Sequence, residues 1–276
     1  MELRAFVEIT RPHNCALAGL VGVLGSMVAL GSVPEGKILI LVFLVVSLGC
    51  AGGNTINDYF DYEIDRINRP ERPLPRGAMD RRTALWYSLF LFAVGLALAL
   101  LISLKAFAFA LLAYITMFLY AWKLKPLPFI GNIAVAALTG VTPLYGAIAV
   151  GKIGLAGTLA VCAFLVNVAR EIVKDIEDVE GDLKKGAKTL PIILGRRKAA
   201  YVAAFFGVAT VIASFLPVKA GVGVGYYAMV PVDLIILYAV YLILRNQDEK
   251  TAHRSQLLLK ASIFLAVFAF LIAALM

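Results

Sequence analysis

At 276 residues, 61% of them hydrophobic and only 16% charged, the chain is too apolar for a soluble domain, where about half the residues are apolar and about a quarter charged. That composition fits one compact membrane bundle. The net charge of +8 is not a nucleic-acid footprint, because the basic residues cluster between apolar runs, where they read as topology signals and anion ligands.

Residues 1–13 set Arg4, Glu8 and Arg11 among Leu3, Phe6, Val7 and Ile9, the pattern of a short interfacial helix. Apolar spans follow at 14–31, 38–57, 84–103, 106–122, 129–150, 153–173, 197–217, 224–244 and 256–276. Each is close to the ~20 residues a transmembrane helix needs. The prediction is an all-α membrane protein of about nine transmembrane helices in one bundle, with 1–276 as a single domain. The run from Cys15 reads as the first membrane helix and not as a cleavable signal. Cys15, Cys50 and Cys162 all lie in apolar stretches, an odd number without short spacings, and read as small buried hydrophobes.

The connections alternate in character. Lys37, Lys105, Lys152 and Lys219 stand one to each short connection, while most of the remaining basic residues crowd into 58–83, 123–128, 174–196 and 245–255. The positive-inside rule places the N-terminus and this second set in the cytoplasm and Met276 outside.

The second span runs into N-T-I-N-D-Y-F-D-Y-E-I-D-R-I-N-R-P-E-R-P-L-P-R-G at 54–77. Asn57, Asp61 and Asp65 are spaced i, i+4, i+8 and are expected on one helical face, with Asp58 beside them. Acidic groups at the end of a membrane helix are costly unless paired, hydrated or bound to a cation. Oxygen ligands on one face suit a hard ion such as Mg²⁺, and the arginines that follow suit phosphate. The prolines at 70–75 preclude regular helix there and are read as a stiff loop over the site.

The sixth span runs into a second such stretch, N-V-A-R-E-I-V-K-D-I-E-D-V-E-G-D-L-K-K-G-A-K-T-L-P at 167–191. Asp178 and Asp182 are i, i+4, Asp175 is one turn earlier, and Glu171 a turn before that. Arg170, Lys174, Lys184, Lys185 and Lys188 surround them. Two acidic stretches, each after an even-numbered span, suggest duplication of a four-helix unit.

Facing carboxylate clusters repel unless a cation relieves them. Mg²⁺ does so while commonly completing its shell with substrate phosphate oxygens. At a bilayer surface this points to a diphosphate with a lipid tail. An allylic diphosphate leaves well when metal and basic residues stabilise it, and the carbon left behind needs a dry pocket with aromatic faces. Tyr59, Phe60, Tyr62, Tyr114, Phe118, Tyr120 and Tyr145 are the aromatic candidates, with interfacial anchoring as the alternative role of each.

These motifs resemble those of the UbiA superfamily of intramembrane prenyltransferases: N-D-x-x-D-x-x-x-D, met by Asn57, Asp58, Asp61 and Asp65, then D-x-x-x-D, met by Asp178 and Asp182. The likeness extends over nearly the whole chain. It is greatest to the archaeal branch that prenylates geranylgeranylglyceryl phosphate, on R-P-H-N at 11–14, on 57–77, on 170–182, and on K-T-L-P-I-I-L-G at 188–195. The resemblance implies Mg²⁺-dependent transfer of a geranylgeranyl group from its diphosphate to the free hydroxyl of geranylgeranylglyceryl phosphate. That reaction forms the second ether bond of archaeal lipids. The resemblance also implies that Asn57, Asp61, Asp178 and Asp182 hold the metal–diphosphate, with Asp58, Asp65 and Asp175 as further acidic ligands. Asn14, Arg66, Arg69, Tyr120, Lys123, Lys125, Arg170 and Lys174 become substrate-binding candidates. The implied partners are a prenyl diphosphate, a lipid phosphate and membrane lipids, with no nucleic acid. The motifs leave open an aromatic prenyltransferase of quinone synthesis. A lipid or ion transporter fits less well, because transporters place ionisable groups near the midplane.

Overall fold

The computed structural model describes residues 2–184, 186–220 and 223–276. Lys185, one of the basic residues expected around the second acidic stretch, lies outside the described residues, as do the side chains of Lys184 and Lys219. All the regular secondary structure among the described residues is helical. Helix α1 (Leu3–Thr10) precedes α2 (Pro12–Leu30), α3 (Gly36–Phe60), the short α4 (Tyr62–Asn68), α5 (Arg81–Leu100) and α6 (Leu104–Leu119). Helix α6 ends in a π-helical turn at Tyr120–Leu124, followed by α7 (Ile130–Ala149), α8 (Ala156–Glu177), and the short α9 (Val179–Lys184) and α10 (Leu190–Leu194). The last three are α11 (Arg196–Ser214), α12 (Met229–Arg245) and α13 (Glu249–Leu275).

Among the described residues, nine helices are long and apolar enough to cross a membrane, matching the nine expected spans. Their starts carry the polar residues that satisfy orphan backbone N–H groups. The Asp80 carboxylate accepts from Thr83 N–H at 2.9 Å, Ser103 Oγ from Ala106 at 3.0 Å, and Asp248 from Thr251 at 2.7 Å. Helix α13 starts at Asp248–Glu249, seven residues or so before the apolar run at 256, because this cap and a polar first two turns extend it beyond the hydrophobic stretch.

Helix α8 is the most buried of the nine spans. Its Leu159, Val166, Ile172 and Ile176 sit in one core with residues of α2, α7, α11, α12 and α13. A second core joins α3, α5 and α6 through Val42, Val45, Ile56, Phe92 and Tyr114. Helices α2 and α7 meet backbone to backbone. A Cβ at Gly25 would strike the backbone of Pro143, and one at Gly146 would strike the carbonyl of Gly22. Small residues permit this approach, which gives membrane helices the packing that the hydrophobic effect does not supply in lipid. Outward-facing Phe90, Leu112, Phe205 and Leu234 are well exposed, as lipid-facing positions require.

Three contacts gather the polar ends at one face. Lys125 Nζ meets Asp61 at 2.5 Å, Asn132 Nδ2 donates to Asp175 at 2.8 Å, and His253 Nδ1 meets Glu177 at 2.7 Å. The short connections lie at the opposite end of the spans, where Lys37 and Lys105 fall in the first turns of α3 and α6. Helix α1 and the loop before α5 form a small core of their own around Ala5, Ile9, Leu74, Ala78 and Met79. Arg76 fastens it, donating to both oxygens of Glu8 at 2.8 Å. Those bonds hold the Glu8 carboxyl below its ordinary 4.5. The proline loop is therefore pinned beneath α1. No residue of 62–80 lines the cavity described below, contrary to the expected cover over the site.

Candidate active site

Each acidic stretch bends where its membrane helix ends. Asp61 closes α3 with φ −79° and ψ 0°, and Asp178 closes α8 with φ −89° and ψ 2°; a short helix follows each. The two breaks are near copies in backbone shape, as a duplicated unit would give.

The first motif splits into two faces, not the single one expected. Lys125 Nζ reaches Asn57 Oδ1 at 3.4 Å and Asp61 Oδ2 at 2.5 Å. Arg72 instead bonds Asp58 at 3.1 Å and Asp65 at 2.5 Å, and Arg11 also pairs with Asp58. Helical drift is the reason. At about 100° per residue, Asp65 lies about 80° from Asn57 but only about 20° from Asp58. Asp58 and Asp65 are buried, at 3% and 5% exposure, and their charges are already met by two guanidinium groups. As ion-pair partners that tie α3 and α4 to the N-terminus, they are poorly placed to ligate a metal. Arg11 adopts a left-handed backbone (φ 53°) between α1 and α2, a conformation that a non-glycine residue holds only where surrounding contacts fix it.

On α8, Asp175 accepts from Asn132, Arg170 pairs with Glu171, and Asn167 donates to Thr139 Oγ1 at 3.1 Å. Asp178 is exposed, with Lys174 4.0 Å away, and Asp182 is half-buried.

Between these groups lies a cavity of about 550 Å³, walled by α2, α3, α6, α7, α8 and α13. Asn14, Asn54, Asn57, Tyr120, Asn167, Arg170 and Glu171 form its polar lining. Leu17, Val21, Val46, Leu138, Leu159 and Val267 continue it toward the opposite face as an apolar channel. Polar groups fix a head and apolar walls take a tail, the arrangement a lipid diphosphate needs. The π-helical turn shapes this wall. It adds a residue to the end of α6, and Tyr120 points into the cavity while Lys125 reaches back to Asp61.

Of the expected substrate-binding residues, Asn14, Tyr120 and Arg170 line the cavity and Lys125 adjoins it through Asn57. The others are not brought in. Arg66 pairs with Glu63 at 3.5 Å on the surface, Arg69 is exposed, Lys123 lies over the Trp122 ring at 4.2 Å, and Lys174 is exposed beside Asp178. Among the aromatic candidates, Tyr120 alone lines the cavity. Tyr114 and Tyr145 are core residues, and Tyr59, Phe60 and Phe118 pack edge to face on one another. Sequence reasoning missed Asn54, Asn132 and Asn167. The available signal was a carboxamide in an otherwise apolar span, one turn before the first motif for Asn54 and about three turns before the second for Asn167.

The donors near the cavity mouth are carboxylate, carboxamide and hydroxyl oxygens. Among the described residues no three His, Cys, Asp or Glu side chains are grouped closely enough to hold a metal by themselves. That set does not fit zinc, which takes four ligands rich in Cys and His. It fits Mg²⁺, which is held by one or two carboxylates and completed by substrate phosphate instead of by an all-protein cage.

The UbiA prenyltransferase family model matches residues 18–275. The chain is 73% identical to the digeranylgeranylglyceryl phosphate synthase of Thermococcus kodakarensis, covering 100% of this chain and 99% of that one. It is 62% identical to the Pyrococcus furiosus synthase of the same name, again over 100% and 99%. A solved structure of digeranylgeranylglyceryl phosphate synthase in membranes superimposes with a TM-score of 0.91 at 37% identity, covering 99% and 98% of the two chains. A UbiA homolog from Archaeoglobus fulgidus, solved with GPP and Mg²⁺ bound, shares the fold at a TM-score of 0.75 and 20% identity, over 96% and 99%. With its nine spans and two motif-bearing helix ends, the chain belongs to the UbiA prenyltransferase family.

Proposed function

We propose that this protein transfers a geranylgeranyl group from geranylgeranyl diphosphate to the free hydroxyl of geranylgeranylglyceryl phosphate, forming the second ether bond of archaeal membrane lipids. The observation that carries this reading is identity of 73% over the full chain to a synthase of that name. The cavity, polar at one end and apolar along its length, accords with it.

The donor diphosphate sits between the two helix ends. Asn57 and Asp61 on one side and Asp178 and Asp182 on the other would hold it through Mg²⁺, with Asp175 in support. When bound, the metal supplies positive charge against the leaving diphosphate. Lys125, already fixed on Asn57 and Asp61, adds a cation at the same place and belongs to the donor end of the site. The allylic carbon lies next to Tyr120, whose ring face favours a developing positive charge. The apolar walls keep water from that carbon. Arg170 receives the acceptor phosphate: its buried Nε has no hydrogen-bond partner among the described residues, an unmet N–H at the polar lining. The site opens on the cytoplasmic face, since the loops and helix ends toward this side hold all but four of the 26 lysines and arginines.

The test is an acceptor panel. Purified protein with Mg²⁺ and geranylgeranyl diphosphate should consume geranylgeranylglyceryl phosphate and yield the diether by mass spectrometry. Prenylation of 4-hydroxybenzoate in its place would transfer the protein to the aromatic class.

A further inference from the structure

An alcohol that becomes an ether must lose its proton, and none of the ligands assigned above is placed to take it. Asp61 is occupied by Lys125, Asp175 accepts from Asn132, and neither lines the cavity. Asp178 lies exposed outside it, and Asp182 is not among its lining residues either. Among the described residues the one carboxylate in the cavity wall is Glu171. It stands on α8 directly after Arg170, and Arg170 Nη1 holds its Oε1.

We infer that Glu171 is the general base of the ether-forming step, taking the proton of the acceptor hydroxyl while Arg170 holds the acceptor phosphate. This rests on the reaction proposed above. The argument joins covalent structure to geometry. On a three-carbon glycerol, the free hydroxyl lies at most two carbons from the phosphate-bearing carbon. A base for that hydroxyl must therefore sit close to the phosphate-binding guanidinium. Glu171 is the sequence neighbour of Arg170, bonded to it, and faces the same cavity. The contact with Arg170 fixes the carboxylate through Oε1 and leaves Oε2 for the hydroxyl. A carboxylate is a weak base, but that suffices. As the hydroxyl oxygen bonds to the electron-poor allylic carbon, its proton becomes far more acidic than an alcohol's, so position decides and not base strength.

The step balances. The carbon–oxygen bond to diphosphate breaks with its electron pair leaving on diphosphate. The acceptor oxygen forms the new carbon–oxygen bond from a lone pair. The O–H bond pair stays on the ether oxygen, and the proton passes to Glu171 Oε2. No oxidant or further reactant is needed. The other two groups in the wall with an ionisable proton besides Arg170, the Tyr120 hydroxyl and the Cys50 thiol, already carry that proton at neutral pH and cannot accept another in that state.

Steady-state and donor-binding measurements on purified protein test this with Glu171→Gln, Glu171→Asp and Glu171→Ala. The glutamine variant keeps shape and an acceptor oxygen for Arg170 but not basicity. Its kcat should fall about 10²–10⁴-fold, with both KM values and the affinity for geranylgeranyl diphosphate held within about threefold. Glu171→Asp should retain more turnover than Glu171→Gln, and formate should restore part of the activity of Glu171→Ala. Turnover of Glu171→Gln within about threefold of the parent would overturn the inference and leave the departing diphosphate as proton acceptor. So would a rise in acceptor KM matching that of Arg170→Ala without formate rescue, since Glu171 would then only position its neighbour. Failure of the unmodified protein to form any diether is a separate outcome, which removes the proposed reaction itself and this step with it.

Discussion

Asp58 and Asp61 stand three residues apart in one motif and have opposite surroundings. Asp58 is enclosed by Arg11 and Arg72, while Asp61 meets Lys125 at the edge of the cavity. Residue type and spacing were legible in the sequence; the partner of each charge was not. Those partners come from segments outside the helix, and the roughly 60° between Asp58 and Asp61 around it turns them to different ones. The contrast is measurable. Arg72→Met removes a guanidinium shared by two buried carboxylates. It should lower stability by about 3 kcal/mol, the lower end for breaking a buried pair because Arg11 remains on Asp58. Thermal unfolding in detergent checks this. Lys125→Ala should act on the donor instead, raising the KM for geranylgeranyl diphosphate more than that for the acceptor, as lost ground-state binding does. A larger effect on the acceptor would place Lys125 at the other end of the site.

At the scale of elements, the nine spans were readable because length and apolarity alone define them. The π-helical turn at Tyr120–Leu124 was not, since no composition marks a single added residue. It has a clear consequence. Deleting the exposed Trp122 should restore α-helical phase and turn Lys125 about 100° away from Asp61. Circular dichroism should then report an intact fold with turnover greatly reduced; full activity would mean that the turn does not place Lys125. The proline loop shows a second limit. Its stiffness was legible, but its seat under α1 depends on Arg76 meeting Glu8. Because Arg76 favours the Glu8 carboxylate, the folded pKa lies below the unfolded 4.5. The contribution to stability is therefore complete above 4.5 and fades as pH falls through the folded value. Glu8→Gln should melt below the parent at pH 7, and that gap should close in acid.

For the whole molecule, the arrangement reads as a membrane bundle whose two related helix ends converge on one lipid-sized cavity. Orientation followed from basic residues alone, and single-cysteine labelling in intact cells can check it on a background lacking Cys15, Cys50 and Cys162. A cysteine at position 80 should be shielded from impermeant reagent outside. The central claim is that both acidic helix ends act together on one diphosphate. It is tested most directly by turnover of Asp61→Asn and Asp182→Asn, each measured beside the melting temperature. Each substitution preserves size and removes one negative charge. If the two ends share one metal–diphosphate, either alone should cut turnover by orders of magnitude, since each ~1.4 kcal/mol of lost transition-state stabilisation is tenfold in rate. Melting should be nearly unchanged. Near-normal turnover in either variant would contradict a site built across both helix ends.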